Sequence, residues 1–306
     1  MELYVKLLYN FIVSQKKCMN VAIIGAPNVG KSSLLNCWLG EKNSIVSPRP
    51  HTTRNNVLGI LNENDVQLVF VDTPGFAKSK FLLNCDLPVT KSSEHFDNYA
   101  IQIQKALQNI DYVVLVVDAI RVNAEGTANL LSMLLSSYQN KFCVILNKID
   151  RVKKGQLYKI IDDLAAEANT KVNFNQVIYC VSALMKKGTN DVIKFLQSVA
   201  QKKEWQYTNE LPVKREIYGA ECVREKAFYV LKQEVPFFLK TRAMKWNFDA
   251  KKWNLTVNIE VPRLGHKKIV IGKNAATVKT IGSAARSELM SKWGAGSLFV
   301  NVEVVN

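Results

Sequence analysis

One stretch constrains the fold more than any other: Gly25-Ala26-Pro27-Asn28-Val29-Gly30-Lys31-Ser32-Ser33. It has the spacing GxxxxGK[ST], and it joins an apolar, strand-like run (Asn20–Gly25) to a helical pattern (Lys31–Leu39). Glycines at this spacing let backbone N–H groups curl around phosphates, and the helix N-terminus adds positive potential. Lys31 is expected to reach the β- and γ-phosphates of a nucleoside triphosphate, and Ser32 to ligate Mg²⁺.

Such a loop belongs to a sheet of buried parallel strands, and the chain supplies them. Val66–Asp72, Tyr112–Asp118, Phe142–Asn147 and Val177–Val181 are short apolar runs of strand length. Helix-period segments lie between or after them, near Asn98–Asn109, Thr127–Ser137, Gln156–Ala168 and Asp191–Lys203. Alternating strands and helices predict an α/β unit with helices on both faces of the sheet. Ligands of such folds bind beyond the carboxyl ends of the strands, where the remaining motifs fall.

Asp72-Thr73-Pro74-Gly75 ends the second long run. Asp72 is placed to hold Mg²⁺ through water, and the Gly75 N–H to sense a γ-phosphate. Asn147-Lys148-Ile149-Asp150 chooses the base. Guanine offers N1–H and N2–H₂ as adjacent donors that the Asp150 carboxylate can accept together, whereas adenine offers no such pair. Asn147 is expected to brace the loop, the Lys148 stem to cover the ring, and Ser182-Ala183 to present a backbone N–H to guanine O6. Thr53, with Thr52 as the alternative, is the expected further Mg²⁺ ligand, and His51 is read as a surface residue rather than a base. Phe76 stands where Ras-like proteins place a water-orienting glutamine, so slow intrinsic hydrolysis is expected.

Glu204–Leu211 interrupts the helical pattern and reads as a connection. Beyond it the order becomes helix (Lys214–Gln233), strands (Arg242–Phe248, Leu255–Val261), a glycine-marked turn, helix (Ala275–Trp293) and strand (Ser297–Val305), a small α+β unit. The expected division is therefore a lead-in at 1–19, a nucleotide domain at 20–203, a linker at 204–213 and a second domain at 214–306.

The chain has 306 residues and a formal charge of +15, with a basic surplus in both halves. That favours a large anionic partner, nucleic acid ahead of membrane. Six scattered cysteines form no CxxC pair, which argues against a disulfide framework or a zinc site. No apolar run is long enough to span a bilayer. The first eighteen residues read as a lead-in or as a remnant of an organelle-targeting segment.

GAPNVGKSS, HTTR (51–54), DTPGF (72–76), NKID and SA together resemble the TrmE–Era–EngA branch of GTPases. The carboxyl half resembles the Era type through Trp205, Tyr207, Arg224-Glu225-Lys226, Gln233–Pro236, Ile271-Gly272-Lys273, Ile281-Gly282 and Ala285-Arg286. The resemblance covers about residues 18–306. It implies a P-loop GTPase domain followed by a type II KH domain, turning GTP into GDP and phosphate with Lys31, Thr53 and Gly75 in the machinery. It also implies K⁺ at Asn28, with a purely structural loop role as the alternative. The implied partners are the 3′ region of small-subunit ribosomal RNA and the small ribosomal subunit, bound by a monomer. The stretches 51–54 and 78–93 resemble mitochondrial members, implying the mitochondrial matrix, with the bacterial cytoplasm as the alternative. A nucleotide-holding RNA-binding scaffold with little hydrolysis is the competing reading. A tRNA-modifying relative would end in a short cysteine motif, and a double-domain EngA would need a second phosphate loop.

A KH domain grips the nucleic-acid backbone with a GxxG loop. Here that loop is Gly272-Lys273-Asn274-Ala275, with alanine for the last glycine. Lys267, Lys268, Lys273, Lys279 and Arg286, with Gly272 and Asn274, are the expected RNA contacts. The extra methyl is expected to narrow the groove or disfavour the turn, and a return to glycine to cost stability where φ is negative.

Overall fold

The computed structural model describes residues 16–40, 57–73, 109–122, 127, 131, 134, 141–171, 177–207, 215–232, 234–249 and 252–305. The described residues fall into two compact units, one within 16–207 and the other within 215–305.

In the first unit, β1 (Lys17–Ile24), β2 (Val57–Glu63), β3 (Val66–Asp72), β4 (Tyr112–Asp118), β5 (Phe142–Asn147) and β6 (Ile178–Cys180) share a sheet in the order β2-β3-β1-β4-β5-β6. The strands from β3 to β6 along that order pair in parallel. Their continuous apolar character has a direct cause. Val114 and Val116 of β4 join a core on one face with Ile23, Phe70, Leu34 and Leu196. Val113, Leu115 and Val117 join a second core on the other face with Ile24, Phe142, Leu146 and Leu164. Each such side chain removed from water contributes roughly 1.5–3 kcal/mol before entropy is counted. Helices α1 (Lys31–Leu39), α2 (Lys154–Lys171) and α3 (Thr189–Val199) flank the sheet, and Thr127, Leu131 and Leu134 are helical as expected.

The sheet differs from the expected one in two places. β2 is an added antiparallel edge strand, joined to β3 by Asn64-Asp65, both left-handed (φ 51° and 60°). Two residues of that conformation suit the twist of a hairpin. Helix α3 also stops at Val199; Ala200 is extended, and β7 (Gln201–Lys202) pairs antiparallel with Lys17-Cys18 of β1. The expected connection thus begins on the first unit. Gln67 of β3 is fully buried, and its amide oxygen accepts from the backbone N–H of Gln206 (2.8 Å) and Tyr207 (3.1 Å). Its amide nitrogen donates to Tyr207 O at 2.8 Å.

The second unit comprises α4 (Arg215–Val230), a short α5 (Val235–Phe238), β8 (Lys240–Asp249), β9 (Lys252–Val261), α6 (Leu264–Ile271), α7 (Ala276–Trp293) and β10 (Gly296–Val304). β9 is central, antiparallel to β8 and parallel to β10. Its Trp253, Leu255, Val257, Ile259 and Val261 face the helices, packing with Val223 and Ala227 of α4 and Ile281, Ala285 and Leu289 of α7. This arrangement fits a KH-like domain. Helix α6 corrects the expected α-β-β-α-β order. Its sequence LGHKKIVI buries only Val270 and carries a glycine and two lysines, so it lacks the apolar stripe that marks a helix.

Candidate guanine-nucleotide site and basic loop

The phosphate loop connects β1 to α1. Lys31 is 6% exposed, and its ammonium donates to the carbonyls of Gly25 and Ala26, each at 2.9 Å. Burial lowers its pKa from 10.5 to about 8, against the raising influence of Asp72. A buried cation at a helix start favours an anion beside it. Ser33, the last residue of the motif, lies in the first turn of α1.

Ser32 Oγ donates to Asp72 Oδ2 at 2.5 Å. The two are hard oxygen donors, brought together from α1 and the end of β3, and they suit Mg²⁺. Thr73 continues the β1–β3 pairing through Oγ1 to Ile23 O (2.8 Å), which fixes Asp72 beside the loop. Thr52, Thr53, His51, Pro74, Gly75 and Phe76 lie outside the described residues, as do the stretch 78–93 and the lead-in to residue 15.

Asn147 is 1% exposed and ties three segments together. Its Nδ2 donates to Val29 O (2.8 Å), and its Oδ1 accepts from Ala183 N (3.1 Å). A Cβ on Gly30 would stand 2.3 Å from that Nδ2, so only glycine lets the loop lie this close. The Ala183 N–H, expected to face guanine O6, is thus directed at Asn147, and a base bound there would share or replace that bond. Asp150 is exposed, with Oδ1 held by the Ser182 hydroxyl at 2.5 Å. The carboxylate is anchored yet open to the guanine edge. Lys148 sits in the left-handed region (φ 67°), and its ammonium reaches Asn28 O (2.5 Å) and Asp118 Oδ2 (2.7 Å). Asp118 was visible in sequence only as a strand-ending aspartate with no role. Asn28 is also left-handed (φ 63°), and Pro27 precedes it at the tip of the loop.

In the second unit Gly272 has φ 73° and ψ 174°, a conformation open essentially to glycine alone. Asn274 (φ 51°) and Ala275 (φ 60°) are left-handed. The turn therefore forms with alanine at its last position, at positive φ, which reverses the expected stability cost of restoring glycine. Lys273 and Asn274 are exposed at the turn, flanked by Lys267 and Lys268 of α6 and Lys279 of α7. Arg286 lies further along α7, and its Nε donates to Gly296 O at 3.2 Å. Among the described residues, one group could present three metal ligands: Cys222, Glu225 and Glu288. The Lys226 ammonium already occupies that cluster, 3.2 Å from Glu225 and 2.5 Å from Glu288.

The chain is similar to known GTPases in sequence and in fold. The family described as "50S ribosome-binding GTPase" matches residues 20–148. The GTPase Era of Mesorhizobium japonicum is 36% identical over 277 residues, spanning 88% of this chain and 82% of that protein. The crystal structure of a single-residue variant of Aquifex aeolicus Era bound to GDP.AlF4- has a TM-score of 0.80 and 29% identity, covering 94% of each chain. A crystal structure of Era in complex with MgGDPNP and nucleotides 1506–1542 of 16S ribosomal RNA has a TM-score of 0.80 and 29% identity, covering 95% of this chain and 94% of that one. With the phosphate loop, the Ser32–Asp72 pair and the anchored Asp150 in place, the chain belongs to the Era family of GTPases.

Proposed function

We propose that this GTPase is a switch that binds small-subunit ribosomal RNA in its GTP state, releases it after hydrolysis, and so assists assembly of the small ribosomal subunit. The observation that carries this reading is the turn at Gly272–Ala275. It has a left-handed backbone at Gly272, Asn274 and Ala275, with exposed Lys273 in the turn and lysines in the helices on either side, in a fold shared with an Era structure that holds 16S ribosomal RNA. Phosphate contacts by Lys267, Lys268, Lys273 and Lys279 supply salt-dependent affinity, and Gly272 allows close backbone approach. Ser32 and Asp72, with Thr53, would hold Mg²⁺, which would supply positive charge to neutralise the phosphates. Asn28 would hold K⁺, whose positive charge would stand in for the water-orienting glutamine that Phe76 replaces. The protein acts as a monomer, in the mitochondrial matrix if the likeness of 51–54 and 78–93 to mitochondrial members decides, with the bacterial cytoplasm as the alternative.

Cross-linking the protein to RNA in its own cells and sequencing the bound fragments tests the partner. Enrichment of the 3′ region of the small-subunit ribosomal RNA is expected, and enrichment elsewhere would contradict the reading. Single-turnover GTP hydrolysis with and without K⁺ separates the switch from a scaffold that merely holds nucleotide.

A further inference from the structure

We propose that Asp118 is a positioning residue for guanine-nucleotide binding, acting through Lys148. It holds the lysine stem in place for the base and links the base-reading loop to the phosphate loop. The inference rests on the reading of Asn147–Asp150 as the base site.

Asp118 ends β4, where the parallel register sets it beside Asn147 of β5. The turn that follows is pinned from two sides: Ala119 N donates to Asn147 O (2.9 Å), and Ile120 N donates to Asp118 Oδ1 (2.9 Å). The carboxylate, with its side chain 8% exposed, therefore has one oxygen committed to its own turn and the other available to receive a cation. That cation is the Lys148 ammonium, which also donates to Asn28 O in the phosphate loop. Lys148 thus spans β5, the end of β4 and the phosphate loop, with its side chain 25% exposed.

The consequence for binding is entropic as well as electrostatic. A lysine stem free to rotate would lose that freedom when a base lay against it. Anchored at its ammonium by Asp118 and Asn28, the stem is ordered before the nucleotide arrives. The anchoring carboxylate forms a charge-assisted bond, stronger than the neutral amide that could replace it. A stem across a ring face reads no exocyclic group, so this contribution is common to purine nucleotides. Asp150, by contrast, distinguishes guanine by its 2-amino group.

A double-mutant cycle with GTP and ITP tests this, because ITP lacks that amino group. Asp118→Asn keeps the size of the side chain and an acceptor for Ile120 N. It is expected to raise the Kd for GTP and ITP alike by roughly five- to tenfold, leaving their ratio unchanged. On a Lys148→Met background the same change is expected to alter Kd by less than about twofold, since its target is gone. An equal effect on both backgrounds, no effect on the native one, or a shifted GTP/ITP ratio would overturn the proposal. Thermal melting of each variant monitors folding. Should Asp118→Asn not fold, Asp118→Ser, which is neutral and keeps an acceptor for Ile120 N, enters the same cycle under the same criteria. Failure of the unsubstituted protein to prefer GTP over ATP would instead sink the base-site reading itself.

Discussion

Lys31 carries the most strained electrostatics of the site, because burial lowers its pKa to about 8 while the phosphates need it charged. In the nucleotide-free protein the folded state therefore binds fewer protons than the unfolded state between about pH 8 and 10.5, and this group's contribution to stability rises with pH across that window. Nucleotide binding has the opposite sense, since a triphosphate beside the ammonium restores its proton. Calorimetry at pH 8 in buffers of different ionisation enthalpy should thus detect uptake of about half a proton on GTP binding. Lys31→Arg, permanently charged, should abolish that uptake. Its persistence would show that another group is the acceptor. At the base, Asp150→Asn should weaken GTP binding by roughly ten- to a hundred-fold, since one anionic acceptor of a paired contact is lost. GTP affinity within twofold of the native value by calorimetry would refute the role of Asp150.

Elements differ in how plainly they were written. β1, β3, β4 and β5 read directly as apolar runs because both of their faces are buried. β2 was missed: VLGILNE has no strict alternation, and its clearest signal is the Asn64-Asp65 turn that folds it back on VQLVFVD. Helix α6 was missed because two lysines and a glycine hide its short buried side. The turn after it shows what sequence alone could not decide, the sign of φ at Ala275. At φ 60° a Cβ crowds the carbonyl that follows, which costs about 1–2 kcal/mol relative to glycine. Ala275→Gly should therefore raise stability by about 1 kcal/mol, read as an increased urea midpoint at constant slope. A lowered midpoint would place Ala275 at negative φ in solution. The same variant should bind RNA more tightly if the methyl limits backbone approach.

For the whole molecule, the motifs at Gly25–Ser32, Asp72 and Asn147–Asp150 were legible because each follows a strand end and calls for particular atoms there. The side chains that link them, Asp118 to Lys148 and Asn147 to Val29 and Ala183, were less legible because they depend on which strands are neighbours. Gln67 is the clearest case, since no local pattern signals that a buried glutamine fastens Gln206-Tyr207, the last described residues before Arg215. A switch requires that nucleotide state and RNA affinity share free energy, and linkage makes that coupling reciprocal. The most direct measurement is the affinity of the full-length protein for a 3′ fragment of small-subunit ribosomal RNA with a non-hydrolysable GTP analogue and with GDP. The protein should bind the RNA at least about fivefold more tightly with the analogue, and Lys31→Ala should erase that difference while leaving the GDP-state affinity unchanged. Equal RNA affinity in both nucleotide states of the unsubstituted protein would contradict the switch.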